Sequence, residues 1–210
     1  MTLGFEVYVG KEDDISGSAV DICVRMIVAA GLTLARGRVL YTDNWYTSMA
    51  LAIKLMCDYG WAMVGTIVPT DKKSRADKDI PFLKLSNGAK KTLARGWFRE
   101  AVLELYTSTC KKFYVQCTTW KDKKQVCFLS TNEVGSSHGL SVRRYAKGRR
   151  KREHFAAPWA QKHYAKCFNA VDKTDRDGAD YSTTIKTNRY YLRIVCWCLD
   201  RDGYQLFSTF

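Results

Sequence analysis

Residues 38–48 read Arg-Val-Leu-Tyr-Thr-Asp-Asn-Trp-Tyr-Thr-Ser, and they combine a short strand, a carboxylate and a helix start. Residues 39–42 favour an extended strand, and the hydroxyl side chains after Asn44 can cap a helix. Asp43 is therefore predicted at the carboxyl end of a strand, where α/β sheets usually meet ligands and metals. A simple turn is the alternative interpretation, because Asp and Asn tolerate the backbone angles that turns require.

Regular elements are predicted on both sides of this stretch. Alternating apolar residues predict a strand over Leu3–Val9, and helical spacing from Val20 to Gly31 predicts a helix that the preceding serines can cap. A second helix is predicted from Ser48 to Asp58, followed by an apolar strand from Trp61 to Val68. This strand and helix order predicts right-handed crossovers and a mainly parallel sheet.

The middle of the chain has a different pattern. Thr70–Ala94 is polar and rich in lysine, which predicts a loop or a poorly ordered connection. Three strands are then predicted at Trp97–Tyr106, Lys112–Trp120 and Gln125–Thr131, and they should form an antiparallel meander. We interpret this meander as an insertion into the α/β unit. From Val171 onward, apolar residues at helical spacing predict helical structure.

The charge of the chain favours a polyanionic partner. The formal net charge is +13, and nucleic acid is a better fit to such basicity than a membrane. The most basic run has no acid and contains Arg143, Arg144, Lys147, Arg149, Arg150, Lys151 and Arg152. A solvated loop, a phosphate-binding surface and a nuclear-import signal are all open interpretations of this run.

The eight cysteines are interpreted as reduced thiols. They contain no C-x-x-C pair, and Cys196 and Cys198 would point apart on a helix, so a zinc site is not indicated. The first residues lack the pattern of a signal peptide, and no apolar run approaches the ~20 residues that span a bilayer. An intracellular location without membrane contact is therefore expected.

A second carboxylate cluster lies near the C-terminus and contains Asp172, Asp175, Asp177 and Asp180. It fails the calcium-loop pattern, because Lys173 occupies the first ligand position before Gly178. Asp172 and Asp175 are three residues apart, so on a helix both could approach one metal or stabilise the helix start. Together with Asp43, they suggest phosphoryl transfer with Mg²⁺ or Mn²⁺.

Two longer motifs are specific enough to suggest a family. The first is Asp-Asn-Trp-Tyr-Thr-Ser at 43–48, followed by Val-Gly-Thr-Ile at 64–67. The second is Tyr-Ala-Lys-Cys-Phe-Asn-Ala-Val-Asp-Lys-Thr-Asp at 164–175, followed by Lys-Thr-Asn-Arg-Tyr-Tyr at 186–191. In this order, separated by a β-rich region, they resemble the piggyBac transposase family from Leu3 to about Leu199.

The resemblance implies an α/β fold with an RNase H-like mixed sheet, flanking helices and a small β-rich insertion. It also implies a cut-and-paste DNA transposase that acts at TTAA targets in the nucleus, where three aspartates bind two Mg²⁺ or Mn²⁺ ions. Asp43 would be the second catalytic and metal-binding aspartate, Asp172 the third, and Asp175 a nearby catalytic carboxylate. Lys186 and Arg189 could contact DNA phosphates, and a homodimer is an expected assembly.

Departures from the family pattern limit this expectation. The family's first catalytic aspartate follows a strand that precedes the one resembled by Leu3–Val9, so the first strand of the core and one ligand are expected to be missing. The usual Gly-Gly before the third aspartate is Asn169-Ala170 here. We therefore expect a truncated, inactive transposase-derived protein, with a non-catalytic DNA-binding domain as the alternative. An incomplete sequence is a third interpretation.

The chain is expected to divide into four parts. These are the first part of the core at 1–69, the β-rich insertion at 70–140, a basic connection at 141–166 and a C-terminal helical part at 167–210.

Overall fold

The computed structural model describes residues 18–68, 88, 92–106, 112–132, 139–145, 151–168, 189 and 191–199. The chain forms two compact units, one of residues Tyr8–Lys166 and one that combines Met1–Val7 with Cys167–Phe210. The described strands all belong to the larger unit, and residues 191–199 of the smaller unit are helical. No helix in the described part of the chain is long and apolar enough to cross a membrane.

Helix α1 spans Ala19–Ala29 and begins at the predicted serine cap. The backbone N–H of Asp21 donates to Ser18 Oγ, and Asp21 Oδ2 accepts from Ser18 N at 2.9 Å, which closes a capping box. The predicted helix start is thus confirmed.

Strand β1 spans Val39–Thr42, as predicted, and helix α2 follows at Met49–Lys54. The prediction of one regular helix from Ser48 to Asp58 was wrong in its last turn, where Leu55–Tyr59 form a wider π-helical turn. Gly60 ends this turn in a left-handed conformation with φ of 64°, which a residue without Cβ adopts at low cost.

The remaining elements of the larger unit are six strands and a helix. The strands are β2 at Ala62–Ile67, β3 at Phe98–Leu105, β4 at Phe113–Lys121, β5 at Gln125–Ser130, β6 at Ser141–Tyr145 and β7 at Arg152–Ala156. A helix follows at 159–168. Strands β6 and β7 form a separate two-stranded ribbon.

The main sheet has the strand order β1-β2-β5-β4-β3. Strands β1 and β2 pair in parallel, as the order of elements near the start predicts, and the other described pairings are antiparallel, so the sheet is mixed. The predicted antiparallel meander of β3, β4 and β5 is confirmed, but it continues the same sheet, because β5 pairs with β2. Strand β2 is apolar on both faces, and pairing on both edges satisfies its backbone. The interpretation of the meander as separate from the α/β unit is corrected accordingly.

Both faces of this sheet are covered. Helices α1 and α2 cover one face with a core that includes Leu51, Leu55 and Met63. Strands β4 and β5 add Val115 and Leu129 to this core. On the other face, the ring of Phe128 lies 5.8 Å from the ring of Tyr164 in the helix at 159–168. Burial on both sides gives the sheet the rigidity of a scaffold for the residues at its ends.

Several expectations fall on residues outside the described ranges. They concern the strand at Leu3–Val9, most of the loop at Thr70–Ala94, and the aspartates between 172 and 180. The four-part division of the chain likewise stays a prediction.

Candidate functional site

Asp43 directly follows β1, in the turn that leads to α2. Its carboxylate oxygen Oδ1 accepts a hydrogen bond from the backbone N–H of Trp45 at 3.0 Å, so Asp43 takes part in a turn, which both interpretations of this position allow. Asp43 is half-buried, and among the described residues no other donor reaches its carboxylate. One carboxylate can thus both close the turn and offer an oxygen to a ligand.

Two buried threonines hold the backbone of Asp43. The hydroxyl of Thr47 lies 2.6 Å from the carbonyl oxygen of Asp43 and 2.9 Å from the hydroxyl of Thr42. A hydroxyl has one proton, and the shorter contact to the carbonyl takes the proton of Thr47. Thr42 therefore donates to Thr47, and Thr47 donates to Asp43. The backbone N–H of Thr47 also donates to the same carbonyl at 3.0 Å.

Gly65 on β2 makes room for these two threonines. It pairs with Thr42 in the parallel register, and a Cβ atom at this position would lie 2.9 Å from Thr47 Cγ2 and closer still to both hydroxyl oxygens. Sequence reasoning included Gly65 in a family motif but did not assign it this role. A glycine in the middle of a strand was the available signal, because it often marks a close approach.

Helix α2 fixes the other end of the turn. Ser48 caps it by accepting from the N–H of Leu51 at 3.1 Å, and the side chains of Leu51 and Leu55 are fully buried. The turn is thus anchored in the sheet before Asp43 and in the core after it. A carboxylate on such a turn keeps a defined position, which a metal site requires.

The nearby thiol of Cys23 is neutral at neutral pH. Burial, and secondly the charge of Asp43, raise the pKa of Cys23 to about 11. The thiol therefore adds no negative charge beside Asp43. The local chemistry at Asp43 is therefore that of a hard oxygen ligand.

The predictions for the other ligands are not tested by the described structure. Asp172 and Asp175 lie outside the described residues, and no group of three or more His, Cys, Asp or Glu in the described ranges could hold a metal. Of the residues predicted to bind nucleic acid, Lys147, Arg149, Arg150 and Lys186 also lie outside them. Arg189 is described, and its guanidinium donates to the Tyr191 hydroxyl at 3.2 Å.

The remaining predicted basic residues lie on or beside the β6–β7 ribbon. Arg143 and Arg144 are on β6, Arg152 is on β7, and Lys151 precedes β7 and is exposed. Arg143 and Arg152 are exposed, whereas Arg144 is half-buried, so neighbouring residues of the basic run face different surroundings.

An ionic and aromatic contact set attaches this ribbon to the main sheet. Arg95 donates to Asp122 Oδ1 at 2.6 Å and to the Tyr145 carbonyl at 2.7 Å, and its guanidinium lies 4.3 Å from the centre of the Phe155 ring. The indole N–H of Trp120 donates to the Ala156 carbonyl at 2.9 Å. Sequence reasoning missed Arg95, Asp122 and Trp120, because nothing local shows that these distant positions meet.

Comparisons with known proteins agree with this architecture. The model of the family described as Transposase IS4 matches residues 1–201. A solved piggyBac transposase, in a synaptic complex with hairpin DNA, is similar in fold with a TM-score of 0.58 and 18% sequence identity over 92% of this chain. The match covers 36% of that transposase chain, so the chain spans about a third of its length. No curated protein matches the chain. The predicted α/β fold, a mixed sheet with flanking helices similar to that of the solved piggyBac transposase, is confirmed.

Proposed function

Since the chain belongs to the transposase family described as Transposase IS4, we propose that Asp43 is a metal ligand inherited from a DNA-cutting site. The ancestral reaction is proposed to be Mg²⁺-dependent cleavage and transfer of DNA strands at TTAA sites, as the resemblance to piggyBac transposases implies.

The observation that carries this proposal is the way in which the fold holds the Asp43 carboxylate. It combines a hard oxygen donor, a rigid strand end and an oxygen without a described protein partner. Mg²⁺ is commonly held by one or two carboxylates and water, so these properties fit a divalent ion. Asp172 and Asp175 are the proposed further ligands. When bound, the ion would activate the attacking oxygen and stabilise the leaving oxygen.

DNA is the proposed partner. The solved transposase of similar fold is bound to hairpin DNA, and this chain carries a net charge of +13. Such a charge is expected to attract the phosphate backbone over distances of the order of the Debye length. A nuclear location and assembly as a homodimer follow as further proposals from the same resemblance.

The chain is also proposed to be inactive by itself. The resemblance matches Asp43 and Asp172 to two of the family's three metal-binding aspartates. The alternative function is a DNA-binding domain without catalysis. The exposed arginines of the β6–β7 ribbon favour this alternative, because phosphate contacts do not need the metal site.

Titration of the purified chain with Mn²⁺, followed by electron paramagnetic resonance, tests the role of Asp43. Asp43→Asn should weaken Mn²⁺ binding by at least roughly 10–100-fold, because this much affinity is lost even when only a residue that hydrogen-bonds to a metal ligand is removed. Asp58→Asn is the control, because Asp58 is an exposed carboxylate that pairs only with Lys54 among the described residues. Equal Mn²⁺ affinity of Asp43→Asn and the wild type would contradict the ligand role.

Cleavage assays test the proposed inactivity. The wild type is incubated with Mg²⁺ and either linear or hairpin DNA that contains TTAA, and no strand scission is expected. Scission that disappears in Asp43→Asn would overturn the inactivity while supporting the metal site. Salt-dependent DNA binding without any Mn²⁺ binding would favour the non-catalytic alternative.

A further inference from the structure

The two faces of the β6–β7 ribbon differ in chemistry. Successive side chains of a strand point to opposite sides, and the register pairs Arg143 with His154 and Tyr145 with Arg152. One side, here called the ribbon face, is formed by Ser141, Arg143, Tyr145, Arg152, His154 and Ala156. The other side carries Val142, Arg144, Glu153 and Phe155, and these residues are half-buried.

The ribbon face carries two arginines and no acid among the described residues. Arg143, Arg152 and His154 are exposed, and the described acid of the ribbon, Glu153, lies on the other side. No described carboxylate forms an ion pair with Arg143 or Arg152. These guanidinium groups are therefore available to an anionic partner, whereas Arg144 approaches Asp122 at 3.8 Å.

An aromatic contact orders one of the two arginines. The guanidinium of Arg152 lies over the ring of Tyr145, 4.8 Å from its centre. Stacking leaves the N–H edge of a guanidinium free, and this edge matches the oxygens of a phosphate. The side chain consequently loses less freedom when it binds than an unstacked arginine would.

The attachment of the ribbon fixes which side is exposed. Trp120 and the Arg95–Asp122 pair hold the ribbon from the main sheet, and Asp122 also lies near Arg144 on the inner side. Rotation of the ribbon would break these contacts. The orientation of the ribbon face relative to the main sheet is thus fixed by specific contacts.

The strand registers place this attachment at the same end of the sheet as Asp43. Residue 42 is level with Gly65, Leu129 and Cys117 across the sheet, and Trp120 lies further along β4 toward the end where β1 finishes. Strands β1 and β4 are separated by three strand spacings, or about 14 Å at ~4.8 Å each. This distance equals about four base-pair steps of ~3.4 Å. The lateral spacing between the two strands is thus within the length of a short duplex.

We propose that the ribbon face binds the phosphate backbone of double-stranded DNA, with Arg143 and Arg152 as the contact residues and Arg144 as a structural residue. This inference rests on the proposed function in that it names the surface that holds the DNA. Among the described residues of the basic run, it assigns phosphate contact to two arginines.

The salt dependence of DNA binding by the full chain tests the proposal. Binding of a fluorescent duplex is measured by anisotropy between 50 and 200 mM salt. Each lost phosphate contact should lower the slope of log affinity against log salt by about 0.9, so Arg143→Ala and Arg152→Ala together should lower it by about 1.8. Arg143→Lys keeps the charge and should keep the slope.

Arg144 supplies the matched control. Arg144→Ala removes the same charge one residue away, and Arg144→Gln does so with less loss of packing. Both should leave the slope unchanged, and thermal unfolding confirms that each variant is folded. An equal loss of slope in the Arg144 and Arg143 variants would overturn the face assignment, as would an unchanged slope in the double variant.

Failure of this inference is distinguishable from failure of the proposed function. If the wild type binds duplex DNA with a slope that the ribbon variants do not change, only the ribbon assignment is wrong. If the wild type does not bind duplex DNA at 50 mM salt, the DNA partner and the ribbon assignment are both wrong. Mn²⁺ titration of Asp43 is unaffected by either result.

Discussion

The substitution Gly65→Ala should disturb Asp43 without touching its carboxylate. The new methyl group would enter the space between the hydroxyls of Thr42 and Thr47 and lie 2.9 Å from Thr47 Cγ2. Those hydroxyls form the two buried hydrogen bonds from Thr42 to Thr47 and from Thr47 to the Asp43 carbonyl. The threonines must therefore move, and the Asp43 turn must move with them.

The size of the effect follows from two contributions. Adding a methyl group to a packed site costs about 1–3 kcal/mol. Breaking the buried contact between the two threonines leaves a hydroxyl without its partner, which costs about 1–3 kcal/mol more. A total loss of about 2–6 kcal/mol in the free energy of unfolding is expected, which lowers the melting temperature by at least about 4 °C for a chain of this size.

Urea unfolding followed by circular dichroism measures this loss, and Gly88→Ala is the control. Gly88 has nothing within 4 Å of a built Cβ atom and no positive φ, so alanine there should be neutral or stabilise by about 0.4–1 kcal/mol. In the Mn²⁺ titration, Gly65→Ala should also weaken binding by roughly 10–100-fold, as the loss of an outer partner of a ligand does. If Gly65→Ala is as stable as Gly88→Ala, the steric argument is refuted. If it is unstable but binds Mn²⁺ as the wild type does, Gly65 supports the fold but does not position Asp43.

Three further predictions concern the cap of α1, the buried thiols and the ribbon attachment. Hydrogen bonds from the Ser18 side chain and, secondly, its backbone lower the pKa of Asp21 from its usual 3.8. The ionised Asp21 carboxylate therefore stabilises the fold above pH 3.8, and this stabilisation is lost as the pH falls through the lowered pKa of the folded state. Asp21→Asn should accordingly give a flatter stability profile below about pH 4 in urea titrations, and a profile parallel to that of the wild type would contradict the cap. Burial raises the pKa of Cys117 to about 12, so in native protein at pH 8 this thiol should resist iodoacetamide while it reacts fully in urea. Mass spectrometry of the labelled peptides measures this difference, and equal labelling with and without urea would show that the strand opens. Trp120→Phe removes the donor to the Ala156 carbonyl and should destabilise the protein by about 1–3 kcal/mol. Trp97→Phe is its control in thermal unfolding, because the Trp97 indole N–H makes no hydrogen bond with the described residues; equal losses would refute the role of the Trp120 bond.

The elements with local signals could be predicted from the sequence. Four strand-forming residues precede Asp43 and set the bounds of β1. A serine followed three residues later by an aspartate set the start of α1, because both partners of the capping box lie within one turn. The carboxylate at the end of β1 could be located for the same reason.

The pairing of strands could not be predicted in the same way. Alternation of apolar residues identifies a strand but contains no signal for its neighbour. Strand β2 meets β1 on one edge and β5 on the other, and β5 lies more than 50 residues further along the chain. The order of elements near the start predicted the parallel pairing of β1 with β2, but it contained no signal for the antiparallel pairing of β2 with β5.

The contacts that support the candidate site and the ribbon could not be predicted from the sequence for a related reason. Gly65 approaches Thr47 across two elements, and the bond from Trp120 to Ala156 spans 36 residues. Such contacts depend on tertiary structure, and a single sequence shows only that a small or polar residue occurs. Even within the basic run, exposure separates Arg143 from Arg144 through strand alternation, which composition cannot reveal.

The arrangement of the sheet separates the proposed chemistry from the proposed DNA contact. Asp43 follows β1, and the ribbon is attached through β4, about 14 Å away across the described sheet. Groups more than ~7–10 Å apart that share no partners usually affect a protein independently. The contacts of Asp43 involve Thr47 and Trp45, whereas those of the ribbon involve Arg95, Asp122 and Trp120. Loss of a metal ligand would therefore leave the ribbon face intact, so the proposed DNA contact of the ribbon does not depend on the proposed metal site.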